Sequence, residues 1–253
     1  IDKKRANANI VMGRFLYALK QDTDYEIISY EGGQKDNAIT REAICEILVA
    51  REDVAEVKAS AAKAEDGLRE EYAGTDSNIT VQITEEGYAE TDVLHPTSRE
   101  KVLFYLVQIP FGIQKMSGNI EGLVETSTNI GIVKLSDDEF FASSSVRSSV
   151  EAARDALSDK IQYLTEFLGG EFEIQGAYPA WEYRKDSPLR DKMVSVYEEM
   201  YGQKPEVVAI HAGLECGLFY KKIECLDCVS LGPNMKDIHT SEEVLDIAST
   251  ERV

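Results

Sequence analysis

Residues 123–135 of this chain read LVETSTNIGIVKL, and after a short polar break residues 139–146 read EFFASSSV. Both runs are rich in β-branched and apolar residues, which favour strands. Residues 79–84, ITVQIT, alternate strictly between apolar and polar side chains, as a strand does when only one of its faces is buried. Residues 171–176, EFEIQG, predict a further strand. Together these runs predict a sheet that is covered on one side.

Helical patterns surround the predicted strands. In the first 20 residues and again in residues 52–72, apolar side chains recur at helical spacing. Residues 97–100, TSRE, and residues 148–151, SSVE, have the spacing of capping boxes at the starts of two more helices. We therefore expect residues 1–178 to form an α+β domain with helices on one face of a largely antiparallel sheet.

The pattern changes in the last third of the chain. Serine followed by proline at 187–188 is a strong helix start, and Gly202 is placed to end that helix. Residues 206–210 and 226–231 then predict two strands, with a short helix between them and a final helix after them. Because helix and strand alternate here, we expect residues 179–253 to be part of an α/β domain.

Composition excludes several classes of protein. The 253 residues are 43% hydrophobic, which permits a packed core, and the formal net charge of −19 argues against binding to DNA, RNA or anionic lipid. The longest apolar run, residues 102–107, is far shorter than the ~20 residues of a membrane helix. Four cysteines are too few for a disulfide scaffold and indicate a reducing, cytoplasmic setting. The chain begins at Ile1 rather than Met, which suggests a fragment.

Two of the three histidines follow the predicted strands of the tail. His211 comes directly after residues 206–210 and opens the small-residue stretch HAGLECG, and His239 lies beyond residues 226–231 with carboxylates nearby. Ligands of parallel sheets bind beyond the carboxyl ends of the strands, and histidine is a common zinc ligand. Each histidine is equally compatible with a hydrogen-bonded polar residue at a helix start, so both interpretations stay open.

The remaining candidates favour structural roles. His95 precedes a proline and is predicted to be a turn residue. Cys225 and Cys228 have the CxxC spacing, but they fall in a predicted strand, whereas redox and zinc sites place this motif at a helix start or a knuckle. We therefore expect buried structural cysteines. The glycine-rich patterns of phosphate-binding loops do not occur in the sequence.

Four segments of the chain resemble one enzyme family. Residues 211–217, HAGLECG, and residues 232–243, GPNMKDIHTSEE, are similar to the closing motifs of aminoacyl-histidine dipeptidases, the carnosinase-like enzymes of the dinuclear zinc exopeptidase clan. Residues 1–9, IDKKRANAN, and 122–131, GLVETSTNIG, resemble the start and a strand of that family's lid domain. The resemblance implies a lid or dimerisation domain over residues 1–178 and the carboxyl-terminal part of a catalytic domain over residues 179–253.

The resemblance also implies roles for single residues. His239 matches a zinc ligand. Asn129 and Arg147 match lid residues that hold the carbonyl and the carboxylate of the substrate, so we expect both to lie exposed on the sheet side of the lid. Arginine suits a carboxylate because its planar guanidinium pairs with it in a bidentate manner. The matching residues that line the substrate pocket are His211, Gly213, Glu215 and Gly217.

The implied function is a cytoplasmic, homodimeric dipeptidase of the Xaa-His or β-alanyl-histidine type, in which two zinc ions activate a water molecule. The family's His-x-Asp motif, bridging aspartate and glutamate pair do not occur here, and a catalytic zinc needs about three protein ligands. We therefore expect this chain alone to lack catalytic residues, to hydrolyse no dipeptide and to hold zinc weakly. The alternative is a non-catalytic dimerisation or interaction module derived from such a peptidase.

Overall fold

The computed structural model describes residues 4–136, 139–208, 215–238 and 242–253. The chain divides into two compact units, Ile1–Gln175 and Gly176–Val253. This division lies three residues before the boundary that the change of pattern predicts. The assignment of the first unit as a lid and of the second as part of a catalytic domain stays a prediction.

Four helices belong to the first unit: α1 Ala8–Leu19, α2 Val54–Glu71, α3 Pro96–Gln108 and α4 Glu151–Phe167. A single 3-10 turn, Arg51–Asp53, precedes α2. The start of α1 is fixed by Asn7, whose side-chain oxygen accepts hydrogen bonds from the backbone N–H groups of Asn9 and Ile10. An asparagine cap of this kind satisfies backbone donors that would otherwise lack partners.

The sheet of the first unit has five antiparallel strands: β1 Tyr25–Gly32, β2 Ala43–Val49, β3 Gly112–Met116, β4 Val124–Leu135 and β5 Phe140–Ser148. Strand β4 is central, and β5 pairs with it along one edge from Thr126 to Leu135. On the other edge, β1 pairs with residues 133–135 of β4 and β3 pairs with residues 124–128. Strands β1 and β3 do not meet along this edge. Among the described residues, no strand therefore lies beside residues 129–132 of β4 on this edge, and we call this place the gap.

Helices α1, α2, α3 and α4 pack with the sheet in one apolar core, which includes Leu16, Ile27, Leu106 and Ile130, each at most 1% exposed. Nearly every residue of β4 is buried, because strands flank it on both edges and the helices cover it. The predicted α+β layer of helices on a largely antiparallel sheet is thus confirmed, and so are the strand predictions for residues 123–135 and 139–146.

Two predicted strands of this unit are absent from the structure. Residues 79–84 and 171–176 form no strand, although Val81, Ile83 and Phe172 pack against the core. The backbone N–H of Val81 donates to the Glu65 carboxylate at 2.7 Å instead of to a neighbouring strand. Alternation of apolar and polar residues indicates only that one side of a segment is buried. An irregular segment that lies on the core produces the same pattern as a strand.

Both predicted capping boxes are wrong. Helix α3 begins one residue earlier, at Pro96, and its cap is His95, whose Nδ1 accepts from the backbone N–H of Thr97 at 3.2 Å. The prediction of His95 as a turn residue is corrected accordingly. Helix α4 begins after Val150, and Ser148 Oγ accepts from the Val150 N–H at 3.1 Å without capping the helix itself.

The second unit contains helices α5 Pro188–Tyr201, α6 Glu215–Lys222 and α7 Ile247–Arg252, and a short antiparallel pair, β6 Met235–Lys236 with β7 Val244–Leu245. Helix α5 starts and ends as predicted: Ser187 Oγ accepts from the Arg190 N–H at 3.1 Å, and Gly202 adopts a φ of 70°. The predicted strands differ. Residues 226–231 have no regular secondary structure, and neither have residues 206–208, while 209–210 lie outside the described residues.

Among the described residues of the second unit, only Ser187, Gly217 and Ser249 are buried. Several of its large apolar side chains, among them Val208 and Phe219, are more than half exposed. A domain is normally stabilised by burial of side chains of this kind. Separately, none of the helices that the structure describes combines the length and the apolar character of a membrane span.

Candidate functional site

The sequence-predicted site residues fall in both units. In the first unit Asn129 lies in β4 and Arg147 in β5, and in the second unit Glu215 and Gly217 lie in the first turn of α6. His211, Gly213 and His239 lie outside the described residues. The structure therefore describes the surroundings of four of the seven predicted site residues.

Asn129 is buried, so the prediction that it lies exposed is wrong. Its side chain is 7% exposed, and both ends of its amide have partners within the fold. The oxygen accepts from Asn7 Nδ2 at 3.0 Å, and the nitrogen donates to the backbone carbonyls of Ala38 at 2.8 Å and Asp36 at 3.3 Å. This side chain holds the loop between β1 and β2 against the central strand.

The same polar cluster fills the gap opposite residues 129–132. Asn7 Nδ2 donates to the carbonyl of Ile130 at 2.8 Å, and Thr40 Oγ1 donates to the carbonyl of Gly131 at 2.9 Å. Asn9 completes the cluster, because its amide donates to Thr40 Oγ1 at 3.1 Å. Side chains thus supply the donors that a strand would supply along this edge of β4, which satisfies its buried carbonyls.

Close backbone contact in this cluster depends on two glycines. Gly33 adopts a φ of 77°, and a Cβ there would lie 1.9 Å from the carbonyl oxygen of Gly131. A Cβ on Gly131 would lie 2.4 Å from the carbonyl oxygens of both Lys35 and Asp36. Only residues without a side chain fit these positions.

Arg147 lies exposed near the end of β5. In the antiparallel register it stands opposite Ser127, while Asn129 stands opposite Ser145. Directly opposed residues of a pair share a face, so Arg147 and Asn129 are diagonal neighbours on one face of the β4–β5 pair, typically about 7–8 Å apart. The adjacent Val146 packs against the core, which directs the guanidinium of Arg147 away from it.

The pair combines one fixed and one exposed polar side chain on the same face. A guanidinium in this position has the planar donors that recognise a carboxylate. The Asn129 amide has internal partners at both ends. The structure brings these two predicted residues together. Their role toward a substrate stays a prediction.

Close packing explains why residue 217 is a glycine. It is buried, and a Cβ there would lie 2.8 Å from the carbonyl oxygen of Pro179 and 3.5 Å from Trp181 Cβ. The absent side chain therefore permits close packing of α6 on residues 179–181. Glu215, two residues earlier, is exposed. Whether either residue lines a substrate pocket stays a prediction.

Within the residues that the structure describes, no three His, Cys, Asp or Glu side chains are grouped as a metal site. The ligand role of His239 stays a prediction.

The expectation for the CxxC motif is partly wrong. Cys225 is exposed, with a φ of 58°, and Cys228 is only partly buried. The motif lies in an irregular segment rather than in a strand, so the alternation on which the expectation depended does not apply.

Sequence reasoning missed the polar cluster of Asn7, Asn9, Thr40 and Asn129. The signal was present in two places. Gly32 and Gly33 are paired glycines next to a strand, and such pairs mark close backbone contact as well as turns. Two asparagines at the start of a helix, Asn7 and Asn9, suggest a cap with capacity for further hydrogen bonds.

Comparison with known proteins identifies the relatives of this chain. Residues 2–76 match the M20 peptidase dimerisation domain. The chain is 31% identical over 243 residues to the cytosol non-specific dipeptidase of Escherichia coli K12, an alignment that covers 96% of this chain and 50% of that enzyme. The crystal structure of the aminoacylhistidine dipeptidase from Vibrio alginolyticus matches with a TM-score of 0.90 at 31% identity, covering 98% of this chain and 51% of that one.

The chain thus spans about half the length of the relatives that it matches. The match extends through both compact units. The resemblance predicted from the motifs is therefore confirmed, and this chain is similar along almost its whole length to these two dipeptidases.

Proposed function

We propose that this chain supplies the dimerisation unit and the substrate-carboxylate site of a cytoplasmic, metal-dependent dipeptidase that cleaves Xaa-His dipeptides such as β-alanyl-histidine. The observation that carries the proposal is the similarity over 96% of the chain to a dipeptidase, together with the fold match at a TM-score of 0.90 to an aminoacylhistidine dipeptidase. A single convergent motif does not produce agreement over both units.

The environment of Arg147 supports a role in binding the carboxylate of the dipeptide. Its guanidinium is exposed and directed away from the core, on a strand that pairs with the central strand β4 from Thr126 to Leu135. A rigid support of this kind reduces the entropy lost when a ligand is bound. Asn129 lies on the same face of the β4–β5 pair as Arg147. Its side chain fixes the loop around residues 36–38, so we assign it the role of a positioning residue for this part of the site.

In this proposal the second unit, residues 179–253, is part of the catalytic α/β domain. Its described apolar side chains are largely exposed, so it needs residues beyond the described ones to cover them. His211, Gly213, Glu215 and Gly217 line the substrate pocket, and His239 is one ligand of a zinc ion whose other ligands lie outside the described residues. The zinc site supplies a polarised water when metal is bound.

We also propose that the protein is a homodimer. The match of residues 2–76 to a peptidase dimerisation domain supports this, and so does β2. Within the described part of the chain the outer edge of β2 pairs with no strand, and Ile44 and Leu48 on this strand are 63% and 37% exposed. Unpaired edges with exposed apolar side chains are typical of surfaces that a second chain covers.

The alternative is a non-catalytic dimerisation module. The observation that favours it is that the matched domain model describes dimerisation and not catalysis. Both proposals predict a dimer, so the oligomeric state alone does not separate them. They differ in whether Arg147 and His239 take part in hydrolysis.

A chimera separates the two proposals. The 243-residue matched segment of the Escherichia coli dipeptidase is replaced by this chain, and hydrolysis of β-alanyl-histidine is measured with and without added zinc. We expect a folded dimer that hydrolyses the dipeptide and loses activity in the His239→Ala variant. A folded, dimeric chimera without activity would support the non-catalytic module. The control variant is His95→Ala, which removes a histidine at the cap of α3 and should leave the hydrolysis of the dipeptide intact.

A further inference from the structure

The thiols of Cys216 and Cys228 lie side by side in the second unit. Cys216 is in the first turn of α6 and Cys228 is in the irregular segment that follows this helix. Both are partly buried, and burial together with the neighbouring Cys216 thiol raises the pKa of the Cys228 thiol. Cys216 Sγ also donates to the carbonyl oxygen of Val229, the residue after Cys228, at 4.0 Å.

The backbone around both cysteines is held in place. Next to Cys216, Gly217 packs so closely on residues 179–181 that a Cβ would lie 2.8 Å from the Pro179 carbonyl oxygen. Next to Cys228, the Asp227 carboxylate accepts from Ser187 Oγ at 2.6 Å and from the Leu189 N–H at 2.9 Å, at the start of α5. Two thiols that are kept together in this way have a high effective concentration for reaction with each other.

Trp181 contacts the same pair. Its Cβ lies 3.5 Å from where a Cβ on Gly217 would stand, next to Cys216, and its side chain partly offsets the rise in the pKa of the Cys228 thiol. Trp181 is the only tryptophan of the chain. Its fluorescence is therefore an internal probe of the state of the two sulfurs.

We propose that Cys216 and Cys228 form a reversible intramolecular disulfide when the chain meets a small-molecule disulfide such as oxidised glutathione. One protein thiolate attacks a sulfur of oxidised glutathione, which forms a mixed disulfide and releases one glutathione thiolate. The second protein thiolate then attacks the protein sulfur of the mixed disulfide and releases the second glutathione. The two protein thiols are oxidised by two electrons, the glutathione disulfide is reduced, and the two thiol protons end on the two released glutathiones.

The crosslink joins the start of α6 to the segment that follows this helix. Cys216 lies between Glu215 and Gly217, so oxidation fixes the position of both residues relative to residues 226–231. The proposal stands without the proposed dipeptidase function, because its test detects the disulfide itself.

The other two cysteines are natural controls. Cys45 lies on β2, and burial raises the pKa of its thiol to about 12, so almost none of it is the reactive thiolate at neutral pH. Cys225 is exposed and has the CxxC spacing to Cys228, which makes it the rival partner that sequence alone suggests. A test of the proposal must therefore distinguish the 216–228 pair from the 225–228 pair.

The experiment titrates the complete, reduced chain with mixtures of reduced and oxidised glutathione. At each ratio the thiols are trapped, disulfide-linked peptides are mapped by mass spectrometry under non-reducing conditions, and Trp181 fluorescence is recorded. We expect one linked pair, 216–228, and a fluorescence change with the same midpoint and a two-electron dependence. In the control variants Cys45→Ser and Cys225→Ser, we expect the glutathione ratio at the midpoint of oxidation to stay within about twofold of the wild-type value. In Cys216→Ser and Cys228→Ser we expect no transition.

Three results would overturn the proposal: a 225–228 link as the main product, stable glutathione adducts that never resolve into a protein disulfide, or no oxidation at ratios that oxidise a model dithiol. Peptide mapping of the wild-type chain decides between these outcomes without any variant. It therefore remains decisive if a serine substitution prevents folding, which circular dichroism detects.

Discussion

The side-chain nitrogen of Asn7 lies 3.0 Å from the side-chain oxygen of Asn129, and this hydrogen bond joins the cap of the first helix to the middle of the central strand. Each asparagine uses its other polar atom on backbone: Asn7 caps α1, and Asn129 holds the carbonyls of Asp36 and Ala38. Both side chains are buried. The pair therefore connects helix, strand and loop at the one place where this edge of β4 has no neighbouring strand among the described residues.

Replacing Asn129 by alanine is expected to destabilise the first unit by about 3 kcal/mol, because a buried amide that makes three hydrogen bonds, one with Asn7 and two with loop carbonyls, is lost. Chemical denaturation, followed by circular dichroism, measures the change in the free energy of unfolding. The exposed Asn119, in the turn between β3 and β4, is the matched control, and we expect its replacement by alanine to change stability by less than about 0.5 kcal/mol.

The double variant Asn7→Ala with Asn129→Ala tests the connection itself. Residues that share a hydrogen bond show non-additive losses, so the double variant is expected to lose at least about 1 kcal/mol less than the sum of the single variants. Strict additivity would show that the two asparagines stabilise the fold independently of each other and that their hydrogen bond contributes nothing to the coupling.

Substitutions of glycine by alanine should have opposite effects at two positions of the first unit. At Gly33 the backbone has a φ of 77° and the new Cβ would lie 1.9 Å from the Gly131 carbonyl oxygen, so we expect a loss of about 3 kcal/mol or more. At Gly67, inside α2, a Cβ meets no atom within 4 Å, and alanine should stabilise the helix by up to about 1 kcal/mol. Thermal unfolding of both variants measures the difference. Equal effects at the two sites would contradict the close contact described for Gly33.

The ion pair between Arg14 on α1 and Glu71 at the end of α2 predicts a pH-dependent contribution to stability. Arg14 donates to both carboxylate oxygens of Glu71, at 3.0 and 2.7 Å, and this hydrogen bonding lowers the pKa of Glu71. A lowered pKa in the folded state means that the contribution is complete above the unfolded pKa of about 4.3 and disappears as the pH falls through the folded value.

The measurement compares Glu71→Gln with wild type at two pH values. Because both side chains are nearly half exposed, we expect a loss of only about 0.5 kcal/mol at pH 7 and a smaller loss at pH 3. The exposed neighbour Glu70, replaced by glutamine, serves as the control. A loss for Glu71→Gln that is as large at pH 3 as at pH 7 would rule out the ionic contribution.

The parts of the fold that sequence predicted well depend on local chemistry. Helix α5 starts and ends where Ser187, Pro188 and Gly202 place it, because caps act within one helical turn. Strand β3, Gly112–Met116, was missed: it is short, its register is interrupted by two irregularities, and its pairing with β4 is decided by residues distant in sequence. The alternation of residues 79–84 reported burial correctly but not hydrogen bonding, which the sequence pattern does not encode.

The candidate site shows the same limit. The register of β4 and β5 places Arg147 and Asn129 on one face. The sequence pattern predicted both strands, but only the family resemblance assigned the two residues to one site. The burial of Asn129 did not follow from the sequence pattern, because its partner Asn7 is 122 residues away. The contact between Cys216 and Cys228 was missed for a similar reason: the segment after α6 was expected to be a strand, and its actual course brings Cys228 to the start of that helix.

Arg147→Ala, made in the dipeptidase chimera, is expected to reduce kcat/KM for β-alanyl-histidine by ~2 to 4 kcal/mol in transition-state free energy, because a charge-assisted pair with the substrate carboxylate is lost. The exposed Arg41, replaced by alanine, controls for the removal of a positive charge from the same unit.

A dipeptide whose carboxyl terminus is amidated gives the sharper comparison. It has no carboxylate to bind, so Arg147→Ala should change its hydrolysis by less than about threefold, which corresponds to less than about 0.7 kcal/mol. An equal loss for the acid and the amide would mean that Arg147 supports the fold or the dimer and does not bind the carboxylate. Unchanged kcat/KM for the acid would exclude Arg147 from the site.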